Sequence, residues 1–384
     1  MSKISVILGY KDRDVVRVKR CLDSFKNQVY KDFEVVFIDY GSGISYQNLA
    51  KTLVKQYNFC KYIYNNTQGM PWNRSHALNT GVKLSKGEYL LFGDIDIIYS
   101  ENFLEELIKN NEENAHTYNT MYLLPENFTE WGFLKQKPNN FTDTGISAKG
   151  PAHFIKKEYI EKIGGYDEFY CFWGVEDRDL HNRLEILGLK TKWSDKTRTP
   201  MYHQWHPMVS NTHKGFFPEK WWDDMNIYYA LNINSTERNN DEWGKLYTEE
   251  NRPLLRNDLT EKEIKFQSEG DSYVKARCIV EVINSLNNLE KNEYLKLIIE
   301  KKLNVYDPKL IKFKKLVNKF AKKLFKTEKD LLDFEQTERN SIFSPEEDIM
   351  YLVWVLIKRH KIVNDYFIKY NEKETIIKLV RKDA

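Results

Sequence analysis

Three carboxylates and a tryptophan lie within one stretch of nine residues, 172–180, whose sequence is FWGVEDRDL. Residues 164–169, which begin with two glycines and indicate a loop, precede this stretch. Apolar residues at helical spacing follow it as far as Gly188. The pattern predicts that Glu176 and Asp177 stand at the junction of a loop and a helix. Free backbone N–H groups and the positive helix end stabilise carboxylates there. A purely structural alternative has the acids capping the helix and Trp173 packing in the core.

A second pair of acids, Asp94 and Asp96, follows directly after the apolar stretch 87–93. In an extended chain, residues two apart point to the same side. Two carboxylates on one side of a strand end form a hard-oxygen site that suits Mg²⁺ or Mn²⁺, and they repel one another without a cation. The sequence therefore favours a divalent-metal site, although a solvated turn has the same pattern.

Strands and helices are predicted to alternate along the first 64 residues. Such alternation predicts βαβ units, a mostly parallel sheet and an α/β fold, with ligands bound beyond the carboxyl ends of the strands. Asp39 stands at one of those ends, where its carboxylate can accept a hydrogen bond from a ribose hydroxyl or a base N–H. A turn aspartate before Gly41 explains the residue equally well.

Composition limits the classes of function. The chain has 384 residues, enough for one large domain and a smaller one. Lys and Arg number 59 against 56 Asp and Glu, a net charge of +3 that does not suggest a nucleic-acid binder. Four cysteines without metal spacing are typical of reduced thiols in a cytosolic protein. No signal peptide is recognised, and the apolar run 349–357 is too short to span a bilayer. We therefore expect a cytoplasmic location.

Several motifs occur in a specific order: Asp39 at a strand end, Asn73-Arg74 with a following Asn-x-Gly at 79–81, Asp94-Ile95-Asp96, and WGVED at 173–177. Over about residues 1–215 the chain resembles GT-A glycosyltransferases. It is most similar to the group of animal β-1,4-galactosyltransferases and bacterial chondroitin-polymerase-type family-2 enzymes. The resemblance implies a GT-A fold and a nucleotide-sugar substrate, with a divalent metal on the Asp-x-Asp motif.

The resemblance also implies roles for residues at matching positions. On the donor side, Asp39 and Tyr10 would hold the uridine, Arg74 would support the diphosphate, and Asp94 would contact donor and metal. Asp96 would be the main metal carboxylate. On the acceptor side, Trp173 would form the floor of the sugar-binding sites, Asp177 would be the catalytic base, and Glu176 would bind sugar hydroxyls. His153 would contact a sugar hydroxyl, although a buried strand histidine is an equal alternative.

Two histidines close together, His203 and His206, offer the missing metal ligand. A neutral imidazole is a good ligand for Mn²⁺ beside carboxylates. In the resembled family, a histidine just past the acceptor motif completes the metal site. We favour His203 as the ligand and place His206 near the diphosphate, with His206 as the second choice of ligand. Loop histidines bonded to the backbone are the alternative.

The implied reaction is inverting transfer of a hexose or N-acetylhexosamine from a UDP-sugar to a glycan or lipid-linked glycan, in surface polysaccharide synthesis. Some retaining enzymes carry a similar Trp-Gly-x-Glu segment, but the acid at Asp177 favours inversion. The chain departs from the family pattern at Tyr40, often a second acid, and at Val175, often glycine. The other classes considered are an inactive sugar-nucleotide-binding protein, a glycoside hydrolase and a nucleotidyltransferase.

Beyond residue 250 the spacing of apolar residues predicts helices at 279–286, 310–325 and 349–363. We therefore expect a catalytic domain at 1–250 and a helical domain at 251–384, which would serve packing, oligomerisation or membrane-surface contact. Lysines flank the apolar residues of 309–326, as in a helix that lies peripherally on an anionic membrane. We prefer the alternative interpretation, in which the apolar side of the helix packs in the core and the lysines face solvent.

Overall fold

The protein is described here by a computed structural model. It describes residues 3–129, 131, 150–172, 174–195, 197–207, 221–239, 242–256, 258–266, 272–300, 316–319, 346–370 and 374–382, with the backbone alone at 272–276 and 346–348. The described residues form two compact units. The first comprises the described residues of Met1–Lys214, Lys220–Arg256 and Lys358–His360, and the second comprises those of Asn257–Ile357 and Lys361–Ala384.

The first unit begins with alternating strands and helices. They are β1 (Ile4–Tyr10), α1 (Val15–Lys26), β2 (Phe33–Tyr40), α2 (Ile44–Val54), β3 (Cys60–Asn65), α3 (Arg74–Leu84), β4 (Tyr89–Gly93), β5 (Ile97–Tyr99) and α4 (Phe103–Lys109). Side-chain caps mark where helices begin: Asp14 accepts from the N–H of Val16, and Asn73 accepts from the N–H of His76. These caps satisfy donors that have no partner inside the helix.

The remainder of the first unit adds shorter elements. They are β6 (Ala115–Tyr118), β7 (Met121–Leu123), β8 (Ala152–Lys156), α5 (Lys157–Lys162), α6 (Glu176–Ile186), β9 (Lys190–Trp193), β10 (Met201–His203) and α7 (Trp221–Leu231). Seven of the described strands form one sheet in the order β3-β2-β1-β4-β8-β6-β9. Its neighbours are parallel except at β8, which is antiparallel to both β4 and β6. The predicted α/β fold with a mostly parallel sheet is confirmed.

Alternation along β1 divides the core between the two faces of this sheet. Val6 and Leu8 belong to the buried cluster that contains Phe25 of α1, whereas Ile7 belongs to the cluster that contains Leu180 of α6. Period-2 alternation puts neighbouring residues of a strand on opposite faces. Helix α6, which carries the candidate base, is therefore anchored to the central strands through its apolar side.

A small second sheet has the strand order β5-β10-β7. Its first strand, β5, directly follows the Asp94–Asp96 turn. Strand β10 is antiparallel to β5, with His203 opposite Ile97. The N–H of Gln204 also donates to the carbonyl of Asp96 at 2.9 Å. This pairing brings the histidine segment beside the acidic turn.

The second unit has its own sheet. Its elements are β11 (Thr260–Phe266), α8 (Ser272–Asn287), β12 (Glu293–Glu300), α9 (Glu346–Val355), β13 (Val363–Tyr370) and β14 (Glu374–Arg381). The strand order is β11-β12-β14-β13, with β11 and β12 parallel and the other pairs antiparallel.

The expected helical domain at 251–384 is corrected by this sheet, since the region contains strands as well as helices. Helices occur near 279–286 and 349–355, but four strands occur as well. Leu295, Leu297 and Ile299 are buried in alternation with less buried neighbours, which is the period-2 pattern of a strand. The prediction of helices rested on the helical spacing of apolar residues elsewhere in this region and did not include this alternation.

The basic stretch 309–326 lies outside the described residues except for 316–319, which are helical. Among the residues that the structure describes, no helix combines the length and apolar character needed to cross a membrane.

Candidate active site

The Asp94–Asp96 turn sends its two carboxylates to different partners. Asp94 Oδ1 accepts hydrogen bonds from Arg74 Nε at 3.2 Å and Nη2 at 3.1 Å. Asp96 instead faces the two histidines. Residues 95 and 96 form a turn after β4 ends at Gly93, so the alternation expected of an extended chain does not hold here. Asp94 is thus separated from the cluster that suits a metal.

Asp96, His203 and His206 form that cluster. The Nε2 atoms of His203 and His206 lie 3.8 Å and 3.2 Å from oxygens of Asp96. One ligand atom from each residue can be chosen so that all lie within 4.8 Å of one another. Among the described residues, the buried Oδ1 of Asp96 accepts no hydrogen bond. One carboxylate and two imidazoles fit a divalent ion such as Mn²⁺.

The charges of this cluster influence one another. Burial alone would raise the pKa of Asp96, but the hydrogen bond from His206 and the nearby His203 bring it below its usual value. Burial lowers the pKa of His203, which favours the neutral imidazole that binds metals. The structure brings together both histidines that the sequence offered, and not only the favoured His203.

Arg74 joins the acidic turn to the candidate base. It is the first residue of α3, where the Asn73 cap fixes its backbone. Its Nη1 donates to Asp177 Oδ1 at 3.0 Å, and its Nη2 donates to the carbonyl of Gly150 at 2.9 Å. Together with the bonds to Asp94, these contacts use all three nitrogens of the planar guanidinium group, which lysine lacks. Arg74 and Asp177 are 103 residues apart in the chain.

Asp177 and Glu176 begin helix α6 on the side of the sheet edge where β4 ends. Glu176 is buried, and this burial, with Asp177 beside it, raises its pKa to about 7. The residue before them, Val175, has a φ of 74° and lacks a side-chain cap bond. That backbone region favours glycine, and a β-branched residue there stores strain of about 1–3 kcal/mol. This strained position is the one at which the resembled family often has glycine and this chain has valine.

Gly150 allows Arg74 and Asp177 to meet. A Cβ at this position would lie 2.5 Å from Asp177 Oδ2. Because that oxygen is the end of a flexible side chain, Gly150→Ala should fold normally while displacing the carboxylate. We expect kcat to fall by about 10²-fold, the effect of a misplacement near 1 Å. Steady-state kinetics beside thermal unfolding would measure this.

Gly43→Ala is the matched control, because its Cβ would meet only an ordinary contact, Asp12 Oδ1 at 3.7 Å. A Gly150→Ala variant with parental kcat would contradict the importance of the Asp177 position.

The predicted nucleotide residues occupy paired strand ends. Tyr10 lies opposite Asp39 in the parallel register of β1 and β2. Asp39 is buried and accepts from the N–H of Ser42 at 3.0 Å and from the hydroxyl of Tyr62 at 2.6 Å. The Tyr10 hydroxyl donates to the carbonyl of Arg13 at 2.9 Å. Burial raises the pKa of Asp39 despite the two bonds that oppose it.

Two other predicted residues have different outcomes. His153 is fully buried within β8, and its Nε2 lies 2.9 Å from Nδ1 of His116. Burial among these groups lowers its pKa well below the usual value, and the structure places the side chain inside the sheet. Trp173 lies outside the described residues.

A network behind the candidate base was not predicted from the sequence. Asp179 is fully buried and accepts from Arg183 Nε at 2.7 Å and Arg238 Nη2 at 2.9 Å. The spacing of four between Asp179 and Arg183 is a visible sign of a helix pair. Arg238, 59 residues away, carries no such local signal.

Comparison with known proteins agrees with this geometry. The family model for glycosyl transferase family 2 matches residues 5–163. A second model, described as the N-terminal domain of galactosyltransferase, matches residues 144–207. These matches contain the strand ends, the acidic turn, the candidate base and the histidines. The predicted resemblance to family-2 glycosyltransferases and galactosyltransferases is confirmed.

Individual relatives carry glycosyltransferase names. Poly(ribitol-phosphate) beta-N-acetylglucosaminyltransferase TarP of Staphylococcus aureus is 33% identical over 119 residues, covering 30% of this chain and 34% of that protein. GalNAc(5)-diNAcBac-PP-undecaprenol beta-1,3-glucosyltransferase of Campylobacter jejuni is 28% identical over 181 residues, covering 44% and 57%. The chain spans between 13% and 57% of the lengths of the curated relatives reported for it.

Among solved structures, S. aureus TarS 1-349 in complex with UDP-GlcNAc aligns over 63% of this chain and 68% of that chain. The TM-score is 0.46 and the identity 15%, so this alignment adds nothing to the argument.

Proposed function

We propose that this protein is a metal-dependent, inverting glycosyltransferase. It moves a hexose or N-acetylhexosamine from a UDP-sugar to a glycan or lipid-linked glycan, in surface polysaccharide synthesis. The observation that carries the proposal is the meeting at one sheet edge of two groups. One is the Asp96–His203–His206 cluster, and the other is Asp177 held by Arg74.

The metal would be held by Asp96, His203 and His206. When bound, it supplies Lewis-acid stabilisation of the charge that develops on the departing diphosphate. Imidazole ligands favour Mn²⁺ over Mg²⁺, which prefers oxygen. Arg74 is proposed to add a fixed positive charge on the same side, because it already pairs with both neighbouring acids.

Asp177 is proposed as the general base. It takes the proton of the acceptor hydroxyl while the acceptor oxygen bonds to the anomeric carbon and the bond to the diphosphate oxygen breaks. A base on the face opposite the leaving group gives inversion at that carbon. The alternative is retention, and NMR of the first product anomer distinguishes the two outcomes.

Asp39 and Tyr10 are proposed to bind the uridine. Each carboxylate oxygen can accept more than one hydrogen bond, so the bonds from Ser42 and Tyr62 leave capacity for a base N–H or ribose hydroxyl. The same bonds orient the carboxylate before the nucleotide arrives.

Glu176 is proposed to act as a hydrogen-bond donor to a sugar hydroxyl. Its pKa of about 7 means that it is largely protonated below neutral pH and becomes a second anion beside Asp177 above it. We therefore expect kcat/KM to decline as pH rises through about 7. In Glu176→Gln, whose amide donates at every pH, this decline should be absent. A pH profile of kcat/KM tests this, and a decline that persists in Glu176→Gln would assign it to another group.

The experiment that tests the function is nucleoside-diphosphate release from a panel of nucleotide sugars, with Mn²⁺ and with chelator. We expect turnover of a UDP-sugar that requires the metal. Turnover would exclude the alternative, a catalytically inactive sugar-nucleotide-binding protein. If no donor turns over, metal-dependent binding of UDP would indicate a missing acceptor, and the absence of UDP binding would contradict the metal site. Pyrophosphate release would instead indicate a nucleotidyltransferase, and metal-independent glycan hydrolysis a glycoside hydrolase.

A further inference from the structure

Three residues from far along the chain, Lys358–His360, belong to the first unit. They end a π-helical turn, Leu356–His360, that continues helix α9 and stops where Lys361 takes a φ of 51°. Such turns are rare and often occur at functional sites. Within this unit the turn presents Arg359 to a buried acid.

That acid is Asp167, which is 192 residues away in the chain. Arg359 Nη2 lies 2.6 Å from Asp167 Oδ1 and 2.7 Å from Oδ2, and Nη1 donates to the carbonyl of Arg238 at 2.9 Å. The guanidinium also lies 4.8 Å from the ring centroids of Phe169 and Tyr228. Since Asp167 is fully buried, its charge depends on these partners.

Asp167 organises the loop that leads into the catalytic helix. Its Oδ1 accepts from the N–H of Phe169 at 2.9 Å, and its Oδ2 accepts from the hydroxyl of Tyr228 at 2.9 Å. The same loop is tied to the start of α3, because Asn73 Nδ2 donates to the carbonyl of Glu168 at 2.8 Å. Asn73 in turn is the cap that precedes Arg74.

A second connection runs from Asp167 to helix α6. Arg238 lies 3.4 Å from Asp167 Oδ2 and 2.9 Å from Asp179 Oδ1, so it is shared between two fully buried acids. Asp179 stands in the first turn of α6, two residues after Asp177. Arg238 thus links Asp167, the partner of Arg359, to the first turn of α6.

We propose that Arg359 is a positioning residue for the transfer reaction. By pairing with Asp167 it holds the preceding loop and the first turn of α6, so that Asp177 keeps its place beside Arg74. Arg359 touches neither of the candidate reacting groups and acts through Asp167 and Arg238. This inference rests on the proposed function, because it concerns the same base.

The test compares Arg359→Gln and Arg359→Lys with the parent in the full chain. His360→Gln is the matched control, since His360 is adjacent to Arg359 and its side chain is exposed. The measurements are kcat and KM for UDP-sugar turnover with Mn²⁺, UDP affinity by calorimetry, and thermal unfolding. We expect Arg359→Gln to lower kcat by about 10²-fold, as a misplacement near 1 Å does.

The expected pattern is a loss in kcat while the donor KM and the UDP affinity stay at parental values. Arg359→Lys should restore kcat in part, because lysine keeps the charge beside Asp167 but lacks the second nitrogen, Nη1, that donates to the carbonyl of Arg238. His360→Gln should match the parent.

Parental kcat in folded Arg359→Gln, or a change confined to KM, would overturn the inference. If Arg359→Gln does not fold, Arg359→Lys decides, and parental kcat in that variant overturns it as well. A parent that neither turns over a nucleotide sugar nor binds UDP with Mn²⁺ overturns the proposed function, and the inference with it.

Discussion

Asp177→Asn is expected to lower kcat for sugar transfer by about 10²–10⁴-fold, the usual contribution of a positioned general base. The amide cannot take the proton of the acceptor hydroxyl, and it weakens the contact with Arg74, whose Nη1 lies 3.0 Å from the carboxylate. UDP binding in the presence of Mn²⁺ should remain, because Asp177 lies outside the Asp96–His203–His206 cluster. Steady-state kinetics and calorimetry measure the two effects separately.

Glu185→Gln is the matched control for this prediction. Glu185 lies on the same helix, its side chain is 53% exposed, and it pairs with His181. This variant should keep the parental kcat. An Asp177→Asn variant that loses UDP binding together with kcat would point to a nucleotide-binding or structural role for Asp177 instead of base catalysis.

Asp96→Ala is expected to abolish metal-dependent turnover. It removes the carboxylate that both histidines face, at 3.8 Å and 3.2 Å. Loss of a direct ligand should weaken Mn²⁺ binding by more than the roughly 10–100-fold that the loss of an outer partner costs. His203→Ala and His206→Ala should each weaken binding as well, since each supplies a ligand atom of the same cluster. Calorimetry with Mn²⁺ measures this without any requirement for turnover.

Asp195→Asn is the control, because Asp195 is an exposed acid that accepts from the N–H and hydroxyl of Thr197 and lies outside the cluster. Its Mn²⁺ affinity should equal that of the parent. Parental Mn²⁺ binding in Asp96→Ala would show that the ion is held elsewhere. A parent enzyme that is fully active with chelator would remove the metal from the proposal.

Asp94 illustrates how far a local pattern can be trusted. The sequence correctly predicts a buried strand directly before the two acids. The rule that residues two apart point to the same side, however, requires an extended backbone. The turn at residues 95 and 96 breaks that condition. Asp94 consequently pairs with Arg74, and burial outweighs that pairing and raises its pKa to about 6.

His153 and the C-terminal strands show two other ways in which a sequence misleads. A histidine in a strand is equally compatible with a ligand site and a buried pair, and only the contact with His116 decides between them. In the second unit, Leu295, Leu297 and Ile299 alternate as a strand requires, but the alternation is short. A short apolar run of this kind is compatible with either a helix or a strand.

The sequence by itself determined the alternating strands and helices of the first unit, the acids at strand and helix ends, and the two histidines near them. Those features are local, because a cap, a strand end or a spacing of two to four residues is written in neighbouring positions. Only the tertiary structure decided which of these groups meet. The contacts of Arg74 with Asp177 and of Arg359 with Asp167 join residues 103 and 192 positions apart. Their partners are chosen by sheet order and helix packing, which no short stretch of the chain specifies.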